Sequence, residues 1–362
     1  MIVCKPPDYF ALTIKQLCDN EVSRGSVIKV MPDVHPGKVG VIGLTMTVGD
    51  KIMPNIVGAD IGCGVTIAKL GKIRQEFGKL DRVIREGVPS GFEIRKKTLI
   101  AAESFEFERL RCQKHIKMDM ALKSLGTLGG GNHFIELDKD DKGNIYLTVH
   151  SGSRHLGQEV TEHYLKAGNR ELKEKGIEVP YPLTYLKGNL KEAYLHDIEI
   201  IREYASLNRQ LIIRQITKGM KWRPLEFIDC VHNYVDMYHA VPILRKGAIS
   251  AERGETVVVP INMRDGIILG TGLGNPDWNC SAPHGSGRLF KREDVRKTHT
   301  VFEYRKSMEG IYSSCIVSDT LDEAPFAYRG IEIMKEAVRE TVQIEKILKP
   351  IYSFKAGGKE DR

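Results

Sequence analysis

The sequence lacks a long hydrophobic run and a recognisable leader. Its longest apolar stretch, around Val41 to Val48, is far shorter than the ~20 residues that span a bilayer. The first residues, Met1-Ile-Val-Cys-Lys-Pro-Pro, have neither the basic segment nor the apolar run of a signal peptide. We therefore expect a soluble, cytoplasmic protein.

Cysteine pairs are also missing. The seven cysteines are an odd number and include no CxxC pair, so they do not resemble a disulfide framework. A reducing compartment is expected, in which the thiols are free for core packing or for metals. The cysteines stand at positions 4, 18, 63, 112, 230, 280 and 315.

Two common nucleotide-binding patterns are absent as well. No GxxxxGK[ST] segment occurs, and the glycines of Gly270-Thr-Gly272-Leu-Gly274 lack the dinucleotide-binding spacing. The standard nucleotide-binding folds are therefore disfavoured. The formal charge of +7 favours a polyanionic partner, but many soluble enzymes are equally basic.

The secondary-structure pattern predicts strands on both sides of a helical segment. With no repeat or linker between them, this favours one large α+β domain of mixed β-sheets flanked by helices, with a helix-rich insertion at about 158–240. Strands are predicted at 27–30, 44–48, 52–57, 66–68, 145–149, 257–260 and 267–269, and helices at 74–86, 99–121, 192–215, 224–239 and 331–348.

Glycine-rich loops hold the residues that could bind metals. Asp60 and Cys63 lie in Val57-Gly-Ala-Asp-Ile-Gly-Cys-Gly64, and His133 ends Leu128-Gly-Gly-Gly-Asn-His133. Glycine lets the backbone approach a ligand closely, as a phosphate or metal loop requires. His150 and His284 also lie beside glycine-rich or polar turns.

Each histidine alone is also consistent with a structural role. For His232, which lies in a segment predicted to be helical, a packing role is favoured. Together with Asp60 and Cys63, however, the histidines form a set of ligands that could bind two metal ions, because a thiolate can bridge two cations. Such a pair suits phosphoryl or nucleotidyl transfer. The mixture of imidazole, thiolate and carboxylate ligands does not decide whether the metal is zinc, iron or manganese.

Seven motifs in order make the sequence resemble the RtcB family of RNA-splicing ligases, from about residue 30 to Lys355. The motifs are Pro32-Asp-Val-His-Pro-Gly37, Gly58-Ala-Asp-Ile-Gly-Cys-Gly64, Gly126-Thr-Leu-Gly-Gly-Gly-Asn-His-Phe-Ile-Glu136, Val149-His-Ser-Gly-Ser-Arg154, His232-Asn233, Arg245-Lys-Gly-Ala248 and His284-Gly-Ser-Gly-Arg288.

The resemblance implies an RtcB-like fold and a site with two manganese ions. Asp60, Cys63 and His133 would hold one ion, and Cys63 would bridge to a second, also held by His150 and His232. His284 would attack the α-phosphate of GTP, while Asp33 would hydrogen-bond the other ring nitrogen of His284.

The resemblance also implies the nucleotide and RNA contacts. The carboxylate of Glu136 can accept hydrogen bonds from a guanine edge, which makes GTP preferable to ATP. Arg154 and Arg288 would grip the RNA terminal phosphates. The family positions that embrace the nucleotide match Asn132, Glu136, Ser286, Gly287, Tyr328 and Lys355.

The implied activity joins RNA ends that carry a 3′-phosphate or 2′,3′-cyclic phosphate to 5′-hydroxyl ends, in RNA repair or tRNA splicing. GMP would pass from GTP to His284, then to the RNA 3′-phosphate, and leave when the 5′-hydroxyl attacks. An archease-like activator is a further partner that the family suggests.

The sequence departs from the family pattern at two places near the expected nucleotide. Ile261-Asn-Met-Arg-Asp-Gly266 stands where many members have Ser-Met-Gly, and Ala282-Pro283 rather than a cysteine precedes His284. These departures suggest a divergent branch. Two alternatives stay open: a dinuclear phosphodiesterase that acts on RNA ends without ligation, and a non-catalytic RNA- or metal-binding protein.

Overall fold

The computed structural model describes residues 8–37 and 39–356, with side chains from Leu12 onward. Residues 1–7, which include Cys4 and for which no signal peptide is predicted, lie outside the described residues. Within the described ranges, no helix combines the length and apolar character needed to cross a membrane.

A curled antiparallel sheet of seven strands, in the order β12-β13-β15-β5-β6-β4-β8, is the centre of the fold. Its two edge strands contact each other, so that it forms a near-barrel. A four-stranded sheet, β1-β2-β10-β9, and two strand pairs, β11-β14 and β3-β7, complete the strands. Their bounds are β1 Ile28–Pro36, β2 Val41–Thr47, β3 Lys51–Ile52, β4 Gly64–Gly71, β5 Phe134–Lys139, β6 Ile145–Ser151, β7 Leu186–Lys187, β8 Glu226–Val231, β9 Asn233–Asp236, β10 Ile243–Lys246, β11 Ala248–Ser250, β12 Thr256–Asn262, β13 Gly266–Gly272, β14 Ser281–Pro283 and β15 Val342–Lys355.

The longest helix, α6, packs against α3, α5 and the seven-stranded sheet. Its 33 residues include a row of buried apolar side chains that joins two hydrophobic clusters, one around β1, β2 and α5 and one on a face of the seven-stranded sheet. The α-helices are α1 Asp8–Cys18, α2 Pro54–Val57, α3 Phe77–Gly87, α4 Met118–Ser124, α5 Arg154–Glu174, α6 Gly188–Met220, α7 Arg292–Thr298, α8 Val301–Ser307 and α9 Ile331–Val338.

The predicted fold class is confirmed: the chain forms a single α+β domain of mixed sheets with flanking helices. Of the insertion predicted at 158–240, α5 and α6 form the helical part, but the helix predicted at 224–239 is wrong. Strands β8 and β9 stand there, because β8 pairs with β4 along its whole length. That residues 158–240 are an insertion within one catalytic domain stays a prediction.

Three other local predictions are wrong. The strand expected at 52–57 is mostly the short helix α2, and the helix expected at 99–121 is a series of short 3-10 turns before α4. The helix expected at 331–348 ends at Val338. The following chain forms β15, because it is captured between β13 and β5 in the middle of the sheet. Tertiary pairing here overrides local propensity.

Candidate functional site

The histidines and Cys63 meet at one edge of the seven-stranded sheet. His133 immediately precedes β5, His150 lies near the end of β6, Cys63 precedes β4, and His232 follows β8. Since β5, β6, β4 and β8 are antiparallel neighbours, these starts and ends lie at the same edge. His232 therefore lies in the loop between β8 and β9 and not in the predicted helix.

The donor atoms of this cluster face one another at short range. Cys63 Sγ lies 3.5 Å from His133 Nε2 and 3.3 Å from His150 Nε2. His150 Nε2 lies 3.4 Å from His232 Nε2, and His133 Nε2 lies 3.2 Å from Asp60 Oδ2. The five predicted metal ligands are thus brought together.

The protonation states suit a cation. The Nδ1–H of His133 donates to the Leu128 carbonyl (2.9 Å), and that of His150 donates to the Asn132 carbonyl (3.1 Å). Both Nε2 atoms therefore present lone pairs towards Cys63 when the rings are neutral. Burial lowers the pKa of His150, and the neighbouring His133 lowers it further, which keeps the ring neutral.

The spacing also suits a cation. Nitrogen and sulfur ligands of a tetrahedral ion lie about 3.6 Å apart, given typical metal–ligand bonds, which is close to the separations at Cys63. Burial raises the pKa of the Cys63 thiol, and the Asp60 carboxylate raises it further. A bound cation would reverse that preference, because a coordinating thiol is deprotonated. The donor set therefore fits a buried metal centre.

Two fully buried side chains of α6 hold the loops that carry these ligands. Asn208 accepts from the N–H groups of Gly126 and Thr127 and donates to Ser151 and Gly152. Arg209 donates to the carbonyls of Gly62 and Ser151 and pairs with the carboxylate of Asp229. The three ligand-bearing loops are thus fixed to one helix.

Glycine is required where these loops approach the site most closely. At Gly129, whose φ is +89°, a Cβ would lie 1.8 Å from Arg154 Nη1 and 2.6 Å from His133 Nδ1. At Gly152 a Cβ would lie 1.9 Å from Asp60 Oδ1. A side chain at either position would displace a predicted ligand or its neighbour.

His284 lies beside this cluster, directly after β14. Its ring centroid is 4.8 Å from that of His232. Its Nδ1 lies 2.7 Å from Asp33 Oδ2, which also accepts from the Gly285 N–H at 3.2 Å. Asp33 is completely buried, so this carboxylate orients the imidazole and leaves Nε2 free of it. The predicted Asp33–His284 contact is present.

A cavity next to His284 collects the residues expected to bind the nucleotide. Glu136 lies in its wall and accepts from Ser353 Oγ at 2.8 Å. Burial raises the pKa of Glu136 to about 7, against the opposing effects of Ser353 and the Lys355 charge. The wall also contains Asn132, Ser286, Gly287, Tyr328 and Lys355.

A buried carboxylate that the sequence analysis missed organises one side of this cavity. Glu323 accepts from Lys355 Nζ at 2.7 Å, from Tyr328 Oη at 2.5 Å and from Arg288 Nη1 at 3.2 Å. Burial would raise its pKa, but Lys355, Arg292 and Arg288 hold it below its usual range. Glu323 follows no glycine-rich turn, so no local signal marked it.

The two arginines assigned to RNA phosphates differ in their surroundings. Arg154 donates from Nη2 to the Gly91 carbonyl and lines a second cavity next to Asp60 and His133. Arg288 is held by Glu323, Tyr328 and the Asp322 carbonyl. Arg292, which the sequence analysis did not single out, lines both cavities and pairs with Glu323.

The divergent segment 261–266 comprises the end of β12, the turn that follows it and the first residue of β13. Its Asn262 side chain accepts from the N–H groups of Arg264 and Asp265, and Ser286 Oγ donates to the Ile261 carbonyl. Met263 lines the cavity next to His284. The segment that departs from the family pattern therefore contributes to the expected nucleotide site.

Comparison with known proteins points to one family. The family model described as tRNA-splicing ligase RtcB matches residues 21–118 and 97–356. The chain is 27% identical over 368 residues to the RNA-splicing ligase RtcB of Escherichia coli strain K12, covering 91% of this chain and 90% of that protein. It is 25% identical over 415 residues to the tRNA-splicing ligase RtcB of Pyrobaculum aerophilum, covering 88% and 85%. It is 28% identical over 391 residues to the tRNA-splicing ligase RtcB of Archaeoglobus fulgidus, covering 83% and 81%.

Proposed function

Because the chain belongs to the RtcB family of RNA ligases, we propose that it joins RNA ends by a GTP-dependent reaction in which His284 carries GMP. The observation that carries this proposal is the His284 Nδ1 to Asp33 Oδ2 contact of 2.7 Å, made beside a cluster of metal-type donors. A histidine that only packs in a core does not need a buried carboxylate to fix its tautomer.

The first step transfers GMP to the enzyme. With its Nδ1–H held by Asp33, His284 attacks the α-phosphorus of GTP through Nε2, and pyrophosphate leaves as the bond to the β-phosphate breaks. The ring then carries a positive charge, which the buried Asp33 carboxylate balances. A phosphoramidate on His284 retains enough free energy to pass GMP onward.

The guanine base occupies the cavity next to His284. When ionised, Glu136 accepts hydrogen bonds from the donor groups of the guanine edge, and adenine presents a different pattern. Lys355, held by Glu323, supplies positive charge at the same wall. Asn132, Ser286, Gly287 and Tyr328 complete this nucleotide site.

The metal ligands are the cluster at the sheet edge. Asp60, Cys63 and His133 would hold one manganese ion, and Cys63, His150 and His232 the other. When bound, the two ions neutralise the charge that develops on phosphate oxygens during transfer. Asn208 and Arg209 keep the ligand loops in place before any cation arrives.

In the later steps GMP passes to the RNA. Any 2′,3′-cyclic phosphate is first hydrolysed: water adds to its phosphorus and the bond to O2′ breaks, leaving a 2′-hydroxyl and a 3′-phosphate. The RNA 3′-phosphate then attacks the phosphorus on His284 and releases the imidazole. The 5′-hydroxyl of the second strand then attacks the activated 3′-phosphate, forming the new phosphodiester and releasing GMP. Arg154 and Arg288 bind the terminal phosphates. We place this activity in RNA repair or tRNA splicing in the cytoplasm, with an archease-like activator as a partner.

The test is a ligation assay on the purified chain with manganese and GTP. One RNA strand ends in a 3′-phosphate or 2′,3′-cyclic phosphate, and the other begins with a 5′-hydroxyl. We expect a joined product that depends on GTP. Conversion of the cyclic phosphate without joining or GTP consumption would instead establish a dinuclear phosphodiesterase.

A further inference from the structure

A second cavity, of about 590 Å³, opens against the metal-binding cluster. It touches Asp60 and His133, whereas the cavity next to His284 touches His150. The two cavities share Asn132 and Arg292 in their walls. Its volume is in the range of ligand sites, roughly 300–1,000 Å³, so the cluster has room for a second substrate beside the nucleotide.

The walls of this second cavity divide into a charged part and an apolar part. Arg154 and Arg292 supply positive charge beside the carboxylate of Asp60, and Arg292 also pairs with Asp322 and Glu323. Phe92, Ile94 and Met120 supply an apolar surface, and Phe92 is 74% exposed. A positive groove combined with an exposed aromatic ring is the arrangement by which proteins bind single-stranded nucleic acid.

The turn that carries Phe92 is anchored to the loop that carries His133. The N–H of Gly91 donates to the Gly129 carbonyl at 2.9 Å, and Arg154 Nη2 donates to the Gly91 carbonyl at 2.7 Å. Gly91 has a φ of +63°, which favours glycine there. The position of the Phe92 backbone is therefore coupled to the metal loop, although its ring is exposed.

We propose that Phe92 is a positioning residue whose ring stacks on the base of the unpaired nucleotide at a reacting RNA end. The proposal rests on the RNA ligase function proposed above and identifies where its second substrate lies. Arg154 and Arg292 meet the phosphates of that end, and the apolar surface meets the base. The guanine of GTP is not a competitor for this surface, because its proposed site lies at Glu136 in the other cavity.

Exposure alone does not single out Phe92, since isolated exposed apolar residues are normal on protein surfaces. Phe302 is 75% exposed but lines neither of these two cavities. Phe92 differs by its place in a cavity that reaches the metal cluster. Phe302 is therefore the matched control for removal of an exposed phenyl ring.

The experiment compares the wild type with Phe92→Ala, Phe92→Trp and Phe302→Ala. Binding of a fluorescent single-stranded RNA with a 3′-phosphate or a 5′-hydroxyl end is measured directly, followed by the KM and kcat of ligation. Stacking of one base contributes about 1–3 kcal/mol, so Phe92→Ala should weaken binding and raise the KM for RNA on the order of tenfold. Phe92→Trp should restore both values, and Phe302→Ala should leave them unchanged.

Formation of the GMP–enzyme intermediate without RNA separates a stacking role from a structural one. We expect Phe92→Ala to form it at the wild-type rate, since the nucleotide cavity is untouched. An abasic nucleotide placed in turn at each RNA end identifies the stacked end, because it should abolish the difference between wild type and Phe92→Ala there alone.

Wild-type RNA affinity in Phe92→Ala would overturn the proposal, as would equal losses of RNA binding and intermediate formation. Because binding is measured without ligation, an inactive wild type would refute the ligase function and still leave the stacking test decisive.

Discussion

Replacing Asp33 by asparagine should slow the formation of the GMP–enzyme intermediate. Asp33 Oδ2 accepts from both His284 Nδ1 and the Gly285 N–H. A hydrogen bond to a charged partner contributes about 1 to 2 kcal/mol more than a neutral one, which corresponds to roughly 5- to 30-fold in rate. That figure applies if the amide oxygen faces His284.

A larger loss follows if the amide N–H₂ faces His284 instead. The ring would then have to accept at Nδ1 and carry its proton on Nε2, the atom proposed to attack. Loss of the correct tautomer costs roughly 10⁴-fold in a serine protease, where an aspartate orients a histidine in the same way. We therefore expect a loss between these two limits.

The assay is single-turnover transfer of GMP from α-labelled GTP to the enzyme. Asp140→Asn is the matched control, because Asp140 caps the turn between β5 and β6 by accepting from Lys142 and Asn144. Thermal unfolding checks that each variant is folded. A folded Asp33→Asn enzyme that reacts within twofold of the wild-type rate would refute the reasoning.

Two further predictions concern the metal and the base. Cys63→Ala should abolish ligation and lose bound manganese, because Cys63 is the proposed bridge between the two ions. The control Cys230→Ala removes another buried thiol and should retain both ligation and bound manganese. Normal metal content in Cys63→Ala would contradict the bridging role. GTP affinity should fall as pH drops below about 7, approaching tenfold per unit, because protonation of Glu136 removes an acceptor for guanine. Glu136→Gln keeps an oxygen acceptor that does not titrate and should lose this dependence in a binding titration; an unchanged slope would assign the proton to another group.

The candidate metal ligands Asp60, Cys63 and His133 could be singled out from the sequence because they lie in short, glycine-rich loops. Cys63 and His133 each stand one residue before a strand, so local pattern was enough to mark them as candidates. Their meeting depends on the strand order β5-β6-β4-β8, which no local pattern reveals. His232 was assigned to the wrong kind of element, because the segment around it was predicted to be helical. Local pattern therefore did not give the position of this ligand.

The residues that sequence analysis missed act through long-range contacts. Glu323 is meaningful only because Lys355 and Arg288 approach it, and Arg292 because it lines two cavities at once. The strand β15 was taken for part of a helix, since its neighbours in the sheet lie far away in sequence. Such features are determined by tertiary pairing and burial.

The proposed reaction requires that His284 becomes covalently attached to GMP. The most direct measurement is to incubate the chain with manganese and α-labelled GTP and to map the labelled peptide by mass spectrometry. We expect one GMP per chain on His284, through an acid-labile and alkali-stable bond, and no label in His284→Ala. Label on His35 or any other residue, or label that persists in His284→Ala, would contradict it.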